Sequence, residues 1–211
     1  MLARFYPIVD TAAAARHGCA TTMLAECLLE AGVKLLQFRH KEHFSDLVVD
    51  ELRTIAKMCR MAGALLIVDD RPDLARMVGA AGVHVGQDDL TPDEARRVMG
   101  SGLIGHSTHN REQLTKGVAS GADYLALGPL FATASKGNPD PVVGLEALRE
   151  LAPLVSQPLV VIGGITRANA GLALEAGAAS VAVIADLYPD EHNRAALRER
   201  AREWLDATVA G

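Results

Sequence analysis

Gln37-Phe38-Arg39-His40-Lys41 follows an apolar run and carries an amide and two cations at every second position. In an extended strand such residues leave the backbone on one side, so Gln37, Arg39 and Lys41 converge. A guanidinium beside an ammonium suits a phosphorylated ligand, because Arg can grip phosphate through two parallel hydrogen bonds. Two later apolar runs end in Asp69-Asp70-Arg71 and Gly86-Gln87-Asp88-Asp89. Carboxylate pairs beside cations make an oxygen-ligand site of the kind that holds Mg²⁺, with water and substrate phosphate filling the rest of its shell. Either pair alone could instead cap a helix, since Asp70 precedes RPDLARMV and Asp89 precedes LTPDEARRV.

A fourth run leads into Gly105-His106-Ser107-Thr108-His109. Ser107 can donate to phosphate, and His109 can act as a base or cap the next helix. The spacings His106-x-x-His109 and His40-x-x-His43 match transition-metal pairs, but with no Cys or helix to support them they read as chance. Gly163-Gly164, after VVI, lets the backbone approach a ligand closely and leads into a helix expected from Thr166. Between Gly128 and Gly144 lies a connection much longer than most, carrying Thr133, Ala134, Ser135 and Lys136. Two hydroxyls and an ammonium among glycines and prolines suggest a flap that grips phosphate.

These residues need a scaffold that brings distant strand ends to one place. One phrase recurs along the chain: EAGVKLLQFR, MAGALLIVDD, AAGVHVGQDD, ASGADYLALGP and EAGAASVAVIAD. In each, a glycine suited to ending a helix precedes an apolar run suited to a strand buried on both faces. Strands are expected at residues 5–9, 34–39, 64–68, 83–86, 103–105, 124–128, 159–163 and 180–185. FSDLVVDELRTIAKMCRMA has apolar residues at helical spacing, and DLTPDEARRVM offers a Thr-Pro helix start with acidic first-turn residues. Eight strand–helix alternations in 211 residues imply an α/β fold, a compact (β/α)8 TIM barrel forming a single domain over residues 1–211. An open doubly wound sheet is the rival, but no dinucleotide fingerprint follows the first strand. In such barrels chemistry gathers where the strands end.

The net charge of −5 argues against a nucleic-acid binder. Cys19, Cys27 and Cys59 include no C-x-x-C pair and read as free thiols in a reducing cytoplasm. No apolar run approaches the roughly 18 residues of a membrane span. The expectation is a cytoplasmic protein with small-molecule partners and no membrane attachment, compatible with a homo-oligomer.

Taken together, LLQFRHK, LIVDDR, GVHVGQDDL, GHSTHN, LALGPLFATASK, VIGGIT and SVAVIADL resemble the thiamine phosphate synthase family over essentially the whole chain. The resemblance implies Mg²⁺-dependent joining of hydroxymethylpyrimidine diphosphate to a thiazole phosphate or carboxythiazole phosphate. It assigns Gln37, Phe38, Arg39, His40, Lys41, Asp69, Ser107 and Lys136 to the pyrimidine diphosphate, with Arg39, Lys41, Lys136 and Ser107 assisting catalysis. It assigns Asp70 and Asp89 to the metal, and Thr133, Ala134, Ser135, Gly164, Ile184 and Ala185 to the thiazole phosphate. Three positions depart from the family pattern: Asp69 replaces an Asn, Ser135 a Thr and Ala185 a Ser. The rival functions are a thiazole tautomerase using His109, a sugar-phosphate aldolase or epimerase, and a non-catalytic phosphate-ligand sensor.

Overall fold

Eight parallel strands close into a barrel in chain order: β1 (Phe5–Asp10), β2 (Leu35–Arg39), β3 (Leu65–Asp69), β4 (Gly82–Val85), β5 (Leu103–Thr108), β6 (Tyr124–Leu127), β7 (Leu159–Ile162) and β8 (Ser180–Val183). The computed structural model describes residues 2–133 and 140–209. Closure is made by β8 on β1, with Phe5 opposite Val181 and Pro7 opposite Val183. Around the strands lie α1 (Thr11–Arg16), α2 (Thr21–Glu30), α3 (Asp46–Ala62), α4 (Pro72–Val78), α5 (Pro92–Met99), α6 (Arg111–Val118), α7 (Gly144–Leu151), α8 (Ala170–Glu175) and α9 (Arg194–Thr208). This is the (β/α)8 architecture that the strand–helix alternation implies.

The strands bury both faces, so the core divides in two. Inside the barrel Tyr6, Ile8, Leu35, Ile67, Tyr124, Ala126, Val160 and Ala182 fill the lumen. Outside it, alternate strand residues such as Val9, Leu36, Phe38, Val68, Val83 and Leu125 meet the helices. The last helix seals the closure: Trp204 of α9 is fully buried and stacks on Phe5 of β1, ring centroids 5.1 Å apart.

Local chemistry explains several boundaries. Thr91 caps α5 through a reciprocal exchange with Glu94, and Pro92 occupies the first turn. Gly63 ends α3 in the left-handed conformation. In AAGVHVGQDD, however, the capping glycine is Gly79, three residues earlier than the recurring phrase suggests. Gly82 already belongs to β4, where a Cβ would lie 2.3 Å from the Leu103 carbonyl oxygen.

β5 runs three residues beyond the expected 103–105. His106, Ser107 and Thr108 stay extended because they pair with Leu125, Ala126 and Leu127 of β6. Gly105 is therefore a strand interior, not a strand end. A Cβ there would stand 2.1 Å from the Tyr124 ring carbon Cζ and 2.4 Å from His84 Nδ1. Gly105→Ala is expected to cost about 2 kcal/mol through overpacking. A thermal melt checks this, and an unchanged Tm would show that the lumen has room to spare.

Candidate functional site

Residues at the carboxyl ends of β1 to β5 form one connected cluster. Arg39, at the end of β2, reaches Asp10 at the end of β1 and lies with Nε 3.5 Å from Asp69 Oδ2 at the end of β3. Lys41 Nζ stands 2.8 Å from Asp69 Oδ2 and also pairs with Asp70. Burial pulls the Lys41 ammonium down, but the charges and hydrogen bonds of Asp69 and Asp70 outweigh it and hold the group above its ordinary value. Asp69 thus sits between two cations. Arg71 does not neutralise it; its guanidinium makes a two-pronged pair with Asp73 at 2.9 and 2.6 Å and lies over the Phe44 ring.

Asp70 and Asp89 meet as carboxyls. Burial first, then the Asp69 charge, then the Asp89 side chain, push Asp70 up to about 6 against the pull of Lys41. Neither aspartate caps a helix, since Arg71 stands at the start of α4 and Thr91 at the start of α5. Asp89 instead accepts from the Gly86 amide at 2.8 Å, closing the turn after β4. Asp70 has φ 59, a left-handed backbone that no other described non-glycine residue adopts. Its amide donates to the His84 carbonyl at 2.8 Å, which holds that conformation. Two hard oxygen donors in contact, one of them destabilised as an anion by burial, fit a Mg²⁺ that takes one or two carboxylates. Among the described residues no group of three or more His, Cys, Asp and Glu side chains is arranged to hold a metal.

The histidine pairs are used otherwise. His40 is buried, with Nδ1 2.8 Å from Thr11 Oγ1 and Nε2 3.2 Å from the His43 carbonyl. It fastens the loop after β2 and does not face the carboxylates through either nitrogen. His106 Nε2 accepts from Gln87 at 3.0 Å, and His109 Nδ1 donates to the Gly128 carbonyl at 2.7 Å. The cap of α6 is Asn110, which accepts from the Gln113 amide. Phe38 is fully buried in the layer between strands and helices, on the opposite face of β2 from Gln37 and Arg39. Its side chain cannot reach a ligand at the barrel mouth.

Ser107 is half-buried and bonded to His84 Nε2 at 2.8 Å. Beneath it, His84 Nδ1 meets the Tyr124 hydroxyl at 3.0 Å, Tyr124 meets Tyr6 at 3.0 Å, and Gln37 Nε2 donates to Tyr6 at 3.1 Å. Gln37 thus points down into the lumen, while Arg39 and Lys41 rise toward the rim. Burial lowers His84 to about 4 and raises Tyr6 and Tyr124, so all three are neutral at ordinary pH.

The second part of the rim lies at β6 to β8. Leu130 and Phe131 amides donate to the Ile162 and Gly163 carbonyls at 2.8 and 3.0 Å, and Val143 and Gly144 return to pair with Pro129 and Leu130. The long connection is therefore pinned at both feet. Gly164, at φ 64, packs so closely that a Cβ would lie 2.5 Å from the Ala132 carbonyl oxygen. Thr133 follows directly. The helix expected from Thr166 begins instead at Ala170, because Asn169 takes the Thr166 amide and returns its own side-chain N–H to Gly164. Any phosphate here would meet a turn, not a full helix N-terminus. Ile184 leads into the short turn Ala185–Leu187, with Ala185 exposed at the rim. Ala134, Ser135 and Lys136 lie outside the described residues.

Asp10, Tyr6, Tyr124 and His84 were not among the sequence candidates. Asp10 could have been found by the strand-end rule, since it closes FYPIVD. Tyr6 and His84 sit inside strands where both neighbours are also buried, and Tyr124 opens β6 directly after the exposed Asp123.

Residues 5–187 match the family described as thiamine monophosphate synthase. A thiamine-phosphate synthase of Koribacter versatilis is 48% identical over 207 residues, covering 97% of this chain and 95% of that protein. One of Chloroflexus aurantiacus is 38% identical, covering 93% and 90%. Among solved structures, a thiamine phosphate pyrophosphorylase of Pyrococcus furiosus superposes with a TM-score of 0.83 at 30% identity, covering 98% of this chain and 97% of that one.

Proposed function

The chain belongs to the thiamine monophosphate synthase family, and from that premise we propose that it transfers the hydroxymethylpyrimidine group from its diphosphate to a thiazole phosphate or carboxythiazole phosphate. The products are thiamine phosphate and diphosphate, with CO₂ released as well when the carboxythiazole is the acceptor. The observation that carries the reading is the linkage of Arg39, Lys41, Asp69, Asp70 and Asp89 at one barrel mouth, with Ser107 on the neighbouring strand. Neither the isomerase nor the sensor reading draws support from the relatives. Among the described residues no helix is long and apolar enough to cross a membrane.

Charge balance explains the metal. Asp10, Asp69, Asp70 and Asp89 outnumber Arg39 and Lys41 at this mouth. A diphosphate would meet excess negative charge unless a cation came with it. We assign to Asp70 and Asp89 the role of holding a Mg²⁺, which would supply positive charge against the diphosphate.

The chain's own part is positioning and electrostatics. Arg39 and Lys41, already gathered by Asp10, Asp69 and Asp70, turn from those carboxylates to phosphate oxygens as substrate arrives. Lys136 adds a third cation from the loop after β6. Thr133, Ser135, Gly164 and the Ile184-Ala185 backbone take the thiazole phosphate. Loss of diphosphate leaves a pyrimidine methylene cation, which the thiazole nitrogen captures, so no protein nucleophile is required. The buried lumen floor keeps water from beneath the cation.

With both substrates and Mg²⁺, diphosphate and thiamine phosphate are expected to appear in equal amounts, and chelation is expected to stop both. Undiminished turnover in chelator overturns the metal assignment. No product from either thiazole form overturns the activity.

A further inference from the structure

The lumen contains a hydrogen-bonded series that the displacement of diphosphate does not itself require. Gln37, Tyr6, Tyr124 and His84 are all buried, at 3%, 1%, 1% and 8% exposure, and only Ser107 at the end of the series reaches the mouth. The successive contacts are 3.1, 3.0, 3.0 and 2.8 Å. Such a line is built in at a cost, since burying two phenols and an imidazole is unfavourable unless each polar atom is satisfied. Gly105 makes room for it by having no Cβ where Tyr124 and His84 meet.

Donor counting gives the line a direction. The Gln37 amide nitrogen can only donate, so it uses the Tyr6 oxygen as acceptor. If each buried hydroxyl spends its proton within the line, the Tyr6 proton goes to Tyr124 and the Tyr124 proton to His84 Nδ1. A neutral imidazole that accepts at Nδ1 carries its proton on Nε2 and donates it to Ser107 Oγ. Ser107 is left with its own hydrogen unspent and free to turn toward the mouth. Without this ordering, a serine beside a neutral imidazole would give its hydrogen to the ring instead.

We propose that Tyr6, Tyr124 and His84 are positioning residues that, starting from the Gln37 amide, hold His84 as the Nε2–H tautomer and aim the Ser107 hydroxyl hydrogen at an acceptor atom of the bound pyrimidine diphosphate. The last clause rests on the function proposed above; the hydrogen-bond order does not. The donor is set before substrate arrives, so no reorganisation is needed in the reaction.

The test has two arms. In ¹⁵N-histidine spectra of the ligand-free wild type, with His84→Gln identifying the resonances, His84 is expected to show a protonated Nε2 and a bare Nδ1. An Nδ1–H tautomer or an imidazolium at neutral pH overturns the proposal. In kinetics, Tyr124→Phe is expected to lower kcat about tenfold, the size of one lost hydrogen bond, with the KM for thiazole phosphate unchanged. The same change in a Ser107→Ala background is expected to do nothing more. Losses that multiply in the double variant would mean that Tyr124 acts only on the fold, and overturn the proposal. A Tyr124→Phe chain that fails to fold leaves the spectroscopic arm decisive. If the protein proves inactive on these substrates, the tautomer still decides the order of the line while the functional reading fails separately.

Discussion

Asp70→Asn is expected to slow diphosphate release by about a thousandfold and, in the ligand-free protein at neutral pH, to raise Tm by about 2–4 °C, the equivalent of about 1 kcal/mol. Opposite signs on activity and stability follow from one arrangement. Burial first, then the Asp69 charge and the contact with Asp89, push the Asp70 carboxyl up to about 6. Asparagine removes the buried charge and its repulsion by Asp69, but also removes the charge that a divalent ion needs. Lys41 loses one partner and keeps Asp69, 2.8 Å away. Asn is the right replacement because φ is 59 there; Asn tolerates that region, whereas Ala would add strain of its own.

The pH dependence separates this account from a general stabilisation. Well below the ordinary carboxylate value, roughly 4, Asp70 is protonated in both folded and unfolded chains and its cost vanishes. As pH rises toward 6, the unfolded chain gives up this proton first, and the folded wild type loses stability relative to it. Above about 6 the cost is complete. The Tm advantage of Asp70→Asn should therefore open between those values and stay level above them. Melts across that interval check it; an equal gap at both ends, or an active variant, would remove Asp70 from the role given to it.

Arg39→Met is expected to abolish turnover and to destabilise the protein by about 3 kcal/mol, which lowers Tm by about 6–12 °C. Its guanidinium lies between the Asp10 and Asp69 side chains, only 5% and 6% exposed. Methionine fills similar space and leaves both carboxylates short of a counter-charge. Asp69 retains Lys41, but Asp10 retains only the Ala13 amide at 2.7 Å. The Arg39→Met, Asp10→Asn double variant should recover most of the lost stability, because Asn caps α1 as Asp does, while activity stays absent. Denaturation of both variants decides it. A double variant no more stable than the single would show that Arg39 holds the fold by packing and not by charge.

The same arrangement gives a place to Asp69, one of the three positions where the sequence resemblance led to the expectation of a different residue. An Asn at this position would leave Arg39 and Lys41 fewer charges to hold them. Here the extra carboxylate is matched by two cations, and it keeps them gathered before a ligand arrives.

What the chain alone determined was the alternation and the rim. Eight apolar runs, five of them in a recurring phrase that carries a glycine and all but the first following a helix, leave a closed parallel barrel as the economical solution, and most strand ends can be read from where polar residues resume. Arg39, Lys41, Asp69, Asp70 and Asp89 were legible in that way because the rim is where local sequence changes from apolar to charged. Tertiary structure alone decided which face of each strand looks inward. With both faces buried, alternation separates Phe38 from Gln37 but does not say which side faces the lumen, nor could His84, Tyr6 and Tyr124 be recognised as lumen residues. It also decided how far β5 extends, since pairing with β6 keeps His106, Ser107 and Thr108 in the strand despite their polarity. Last, it chose partners: Arg71 turned to Asp73, His40 to Thr11, and Asn169 to the amide of Thr166. Those choices depend on distances between residues far apart in the chain, and one-dimensional spacing carries no measure of them.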